Sequence, residues 1–157
     1  MSANQNLSAL SILLERAVAE RDEALQALQQ ARMRADAARA QASQLHDYRQ
    51  EYQQRWTSQF AQRTTVDILG CYQNFGSKLD LAITSQGSIA AHADGHVERA
   101  QELLREREMR VASVRKLIER RQLEQQRALQ RQDQKATDEQ AARAALLSFA
   151  PMMRMSA

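Results

Sequence analysis

A chain of 157 residues has room for one domain. Aromatics make up 4% of it, Pro151 is its one proline, and Ala, Gln, Arg, Leu and Glu fill most of the rest, which is the composition of long helices and excludes a thick globular core. Residues 1–60 carry seven Arg against seven Asp or Glu, so the net charge of +3 rests on the 15 basic and 12 acidic residues of 61–157, too small and too interleaved an excess for a polyanion-binding tail.

The chain opens at Met1–Asn6 without the basic and apolar regions of a signal peptide. Its mean hydropathy is −0.63, and no stretch approaches the roughly 20 apolar residues of a membrane span. Cys71 is alone, which excludes an intramolecular disulfide and fits a reducing compartment; a cytoplasmic protein is expected. From Leu7 onward a seam spaced three and four residues apart takes over. It runs Leu7, Leu10, Leu14, Ala17, Arg21, Ala24, Leu28, Ala31, Ala35, Ala38, Ala42, Leu45, Arg49, Tyr52, Trp56, and only the two arginines are not apolar. The spacing predicts a coiled-coil helix over about 6–61, roughly 75 Å long at ~1.5 Å per residue. Such a stripe requires a partner helix.

The partner follows downstream. Ile83, Ala90, Val97, Leu104, Val111 and Ile118 recur every seven residues, and Leu79, Gln86, Ala93, Ala100, Arg107 and Val114 form the second row. This predicts helix two over about 65–148, with Pro151 ending it and 149–157 a flexible tail. Between the runs, Gln59–Asp67 holds the turn, with Thr64 and Asp67 fitting a capping box. The fold class is all-α, a long antiparallel two-helix coiled-coil hairpin over 1–150. No glycine or proline marks the turn, so one unbroken helix that dimerises in parallel is the alternative. Folding near residue 62 pairs residues whose numbers sum to about 124, setting Leu45 against Leu79, Ala31 against Ala93 and Leu14 against Arg110. Gly76, Gly87 and Gly95 make the first part of helix two the more pliable, each costing about 1 kcal/mol relative to Ala.

The sequence holds no Gly-rich phosphate loop, nucleophile elbow or paired CxxC, and a two-helix body offers no enclosed pocket for shifting a pKa, so an enzyme is not expected, nor is a cofactor. His92 and His96 sit four apart near Asp94, a metal-compatible spacing, but no third ligand is evident and no metal is expected. The run Arg115, Lys116, Arg120, Arg121, Arg127, Arg131, Lys135 is interrupted by Glu119, Glu124 and Asp133 and lacks stacking aromatics. It reads as a solvated face, with no nucleic acid as partner. Met152, Met153 and Met155 suit a frayed terminus better than an adaptable binding tail. One constellation stands out: Gln41, Leu45, Tyr48 and Tyr52 are spaced four, three and four apart, and Phe75, Leu79, Ala82 and Gln86 repeat the spacing across the turn. Aromatics gathered near one end of a thin body read as a docking surface, or as a widened seam.

Four segments carry a resemblance over nearly the whole chain. They are Gln44-Leu45-His46-Asp47-Tyr48-Arg49-Gln50-Glu51-Tyr52, the Phe75–Gln86 stretch around Leu79-Asp80-Leu81-Ala82-Ile83, Lys116-Leu117-Ile118-Glu119-Arg120-Arg121, and Gln134-Lys135-Ala136-Thr137-Asp138-Glu139-Gln140-Ala141-Ala142-Arg143. In this order and with these gaps the sequence resembles the FliJ family of the bacterial flagellar export apparatus. The resemblance implies a non-enzymatic antiparallel hairpin similar to the central stalk of rotary ATPases, serving flagellum biogenesis and hence motility and chemotaxis. Its implied partners are the export ATPase FliI, the export-gate protein FlhA and flagellar export chaperones, on the cytoplasmic side of the inner membrane. Carried over, the FlhA-facing surface is Gln41, Leu45, Tyr48, Tyr52, Phe75, Leu79, Ala82 and Gln86, the same patch that spacing selects. The ATPase contact is expected at the other end, at Arg115, Arg120, Arg121 and Arg127. Two departures are Gly76, where the family commonly has a bulky apolar residue, and the Ala- and Met-rich tail. A passive escort coiled coil, or the equivalent subunit of a virulence secretion system, is the competing reading.

Overall fold

The computed structural model describes residues 2–60 and 65–155, with side chains for 2–59 and 65–149. Among these the chain is helical and without strands: α1 spans Ala3–Arg55 and continues into a π-helical turn, Trp56–Phe60, and α2 spans Val66–Met155. The two long helices pack against each other in antiparallel fashion, so the hairpin class is correct and the unbroken helix is not what forms.

The start of α2 shows why it begins where it does. Thr64 of the expected capping box lies outside the described residues. Thr65 Oγ1 accepts from the Ile68 amide at 3.4 Å and the Thr65 carbonyl from the Leu69 amide at 3.0 Å, while Asp67 places a negative charge in the first turn. At the other boundary, α2 does not end near Ser148 but runs through Pro151 to Met155. A single proline removes one amide donor and crowds the preceding turn, which weakens a helix locally without obliging it to stop.

Packing divides the chain into two compact units, 18–109 and the pair formed by 1–17 with 110–157. In unit 18–109 the seam residues Ala24, Leu28, Ala35, Ala38 and Leu79 are buried, and the remaining positions of the α1 heptad are half-buried while most of their neighbours are exposed. Cross-helix pairs set the register: Gln41 meets Gln86, Glu20 meets Arg107 and Tyr52 meets Phe75, each pair summing to 127. Other contacts, Tyr52 with Tyr72 and Gln86 with the Ala38 carbonyl, sum to the expected 124, and Ala31 and Ala93 line one depression, so each residue meets more than one turn of the facing helix around the expected register. Small residues bring the backbones close enough for Gln86 Nε2 to donate to the Ala38 carbonyl of the facing helix at 3.2 Å, as well as to Gln41 Oε1 at 3.2 Å. A polar residue in the seam is thereby satisfied. Arg39 bridges to Asp94 at 3.3 Å and Arg107 to Glu20 at 3.3 Å along the flanks.

In the other unit, Ala17, Val111 and Val114 form the buried seam. Leu7 and Arg121 line one shallow depression there, with Ala3 and Glu124. Beyond Gln125 every described side chain of α2 is exposed, including Leu129, Leu146, Leu147 and Phe149. No described helix is long and apolar enough to cross a membrane.

Candidate docking site

The end of unit 18–109 where the helices are joined holds five of the seven aromatic residues of the chain. Tyr48, Tyr52 and Trp56 recur every four residues and so form one stripe of α1 and its π-helical continuation, while Tyr72 and Phe75 occupy adjacent turns of α2. Tyr72 stacks on Tyr52, with centroids 5.1 Å apart and planes 16° apart, and on Trp56, at 4.1 Å and 17°. Phe75 tilts against Tyr52 at 4.8 Å and 58° and meets Tyr48 edge-on at 6.5 Å and 78°. Ring quadrupoles favour these stacked and edge arrangements. Burial pushes the Tyr52 phenol above its ordinary pKa, and the neighbouring Tyr72 and Tyr48 add to the shift.

Beside the rings lies the seam residue Arg49. Its Nε donates to Asp80 Oδ1 at 3.1 Å, and this bond, with a smaller influence of the neighbouring Tyr72 hydroxyl, raises the guanidinium pKa further. A guanidinium in a two-helix seam needs space on the facing helix. Gly76 supplies it, since a Cβ there would lie 3.3 Å from Arg49 Nη2. Arg49 thus occupies the volume that a bulky apolar side chain at position 76 would need.

Of the eight expected contact residues, five make contacts across the two helices. Gln41 and Gln86 are hydrogen-bonded to each other, and Tyr48, Tyr52 and Phe75 share the ring cluster. Tyr48 is 47% and Phe75 39% exposed, whereas Leu79 is 8% exposed and lies buried in the seam. Leu45 and Ala82 are half-buried. Sequence reasoning missed Tyr72 and Ile68 and treated Trp56 only as a seam residue. Extending the α2 row one heptad back from Leu79 reaches Tyr72 and was the available signal.

Arg115, Arg120, Arg121 and Arg127, in the other unit, are all exposed. Arg120 and Arg127 are seven apart and share a face, while Arg115 and Arg121 project from others at ~100° per residue, so the four encircle α2 rather than converge. His96 contacts Arg99 at 3.1 Å and Asp94 is bound to Arg39; among the described residues no three His, Cys, Asp or Glu side chains cluster at metal-binding distance.

Two long antiparallel helices with an alanine-rich seam and a half-covered aromatic end define a coiled-coil hairpin protein. The family model described as the flagellar FliJ protein matches residues 6–148, and the chain belongs to that family. Membership makes it a component of the flagellar export apparatus. No curated protein and no solved structure shows significant similarity to the chain.

Proposed function

We propose that this chain is a non-enzymatic, stalk-like coupling subunit of flagellar type III export, working at the cytoplasmic face of the inner membrane. In this reading the aromatic end of unit 18–109 docks on the cytoplasmic domain of the gate protein FlhA. The other unit engages the ring of the export ATPase FliI through Arg115, Arg120, Arg121 and Arg127, and the chain also escorts substrate chaperones. The observation that carries the reading is the exposure of Tyr48 and Phe75 on a pre-packed ring cluster. Large aromatics left half in water are characteristic of contact surfaces.

The mechanism follows from symmetry and linkage. A single chain inside a sixfold ring cannot touch all subunits alike, so each placement favours different subunit states. Differential contact at both ends then couples the state of the ring to the gate. Tyr48→Ala with Phe75→Ala is expected to abolish binding to the purified FlhA cytoplasmic domain while leaving the helical circular dichroism unchanged; unaltered affinity of the double variant refutes the docking assignment. Adding the chain to FliI is expected to promote ring assembly and ATP hydrolysis. A passive scaffold would do neither.

A further inference from the structure

The ring cluster does more than present an outer surface. Tyr52, Trp56, Tyr72 and Phe75, together with Ile68, line an open groove of about 680 Å³ with Arg55 beside it. Three properties of the groove specify what fits it. Its walls are rings already packed on one another, so an incoming side chain meets a surface that loses little freedom on binding. Its volume is ample for a large apolar side chain together with the residues that flank it. Its charge has one sign: Arg55 is the one charged residue among those lining it and forms no ion pair among the described residues, whereas Arg49, six residues earlier, is committed to Asp80.

We propose that this groove is the specificity pocket of the docking surface, receiving an apolar side chain that the gate partner carries next to a carboxylate, with the carboxylate paired to Arg55. The proposal rests on the reading that this end of the chain meets FlhA. It adds Trp56, Tyr72, Ile68 and Arg55 to the surface and states the chemistry of the segment that binds there.

Trp56 is the sole tryptophan of the chain, which gives a single reporter. Protein labelled with 5-fluorotryptophan is titrated with unlabelled FlhA cytoplasmic domain and followed by fluorine NMR, while affinities are measured for Trp56→Ala, Trp56→Phe, Arg55→Glu and the Tyr48→Ala/Phe75→Ala pair. The expected results are a saturable shift of the one resonance, a loss of affinity of at least about tenfold for Trp56→Ala with most of it retained by Trp56→Phe, and a loss of about fivefold for Arg55→Glu that shrinks as salt is raised. If the Tyr48/Phe75 pair weakens binding but the resonance stays put and the Trp56→Ala and Arg55→Glu variants bind normally, the pocket is overturned and the docking assignment survives. If no variant changes the affinity, or wild-type protein does not bind, both fall together.

Discussion

Seating Arg49 over Gly76 makes a quantitative prediction that separates this glycine from another in the same helix. In a helix interior Gly→Ala is worth about 1 kcal/mol when nothing opposes the added methyl. At Gly87 nothing lies within 4 Å of a built Cβ, so Gly87→Ala should gain the full ~1 kcal/mol, a rise in Tm of roughly 2–4 °C for a chain of this length. At Gly76 the new Cβ would meet Arg49 Nη2 at 3.3 Å, Cζ at 3.5 Å and Nη1 at 3.6 Å, all belonging to one side-chain end. The guanidinium must retreat by a few tenths of an ångström, straining its bond to Asp80. Asp80 is 62% exposed, which limits that ion pair to about 1 kcal/mol at most. Gly76→Ala should therefore gain less than Gly87→Ala, between about 0 and 1 kcal/mol. In an Arg49→Ala background the obstruction is gone, and Gly76→Ala should recover the full increment while Gly87→Ala stays as it was. Urea unfolding followed by circular dichroism, with unchanged m-values, measures all six proteins. Equal gains at both glycines in both backgrounds would refute the claim that Arg49 fills the space Gly76 leaves.

Other consequences can be checked with the same preparations. Leu28→Ala, at a buried seam position, should cost about 2 kcal/mol or more, whereas Leu25→Ala, at 42% exposure, should cost under about 1, as read from urea midpoints. Gln86→Ala removes bonds to both the Ala38 carbonyl and Gln41 and should cost about 1 kcal/mol; Gln41→Ala, which leaves the carbonyl as a partner, should cost less. Because burial raises the Tyr52 pKa above its unfolded value of 10.0, the folded state holds the phenolic proton more tightly. Its contribution is present in full below pH ~10 and is lost as pH rises through the folded pKa, so thermal midpoints from pH 9 to 11 should fall less steeply in Tyr52→Phe. Ending the chain after Gln125 removes a stretch whose described side chains are all exposed; helical signal should drop with the midpoint kept within about 0.5 kcal/mol.

Heptad spacing identified the seam because helix periodicity and burial are the same geometric fact. Every residue assigned to the α1 seam from Leu7 to Trp56 is buried or half-buried, and so is every residue of the two α2 rows. Register was less legible. Apolar spacing locates which residues face the partner but not their height along it, and the turn that would settle this carries no glycine or proline, so the expected sum of 124 is met by some contacts while others sum to 127. Tyr72 was missed for a related reason. The α2 rows were begun at Leu79, and Gly76, in the seam just before it, hid their continuation because a glycine carries no hydrophobic signal. Only the position of Arg49 across the seam explains why a glycine is there.

The same seam explains why the aromatic end cannot be a conventional core. Ala35 is fully buried and Ala38 nearly so, and Gln86 reaches a backbone carbonyl across them, so the helices of unit 18–109 lie close where small residues meet. Two helices supply two walls and no third layer. Alanines can be enclosed by two walls; rings of 150–250 Å² cannot. Five such rings at one end consequently stack on each other and still leave Tyr48 and Phe75 more than a third exposed. If they served only to widen the seam, replacing Tyr48 and Phe75 by leucine would preserve stability and partner binding alike. If the cluster is a recognition surface, the same exchange should leave the urea midpoint within about 1 kcal/mol while weakening FlhA binding at least about tenfold, because leucine restores apolar area but not a rigid ring face.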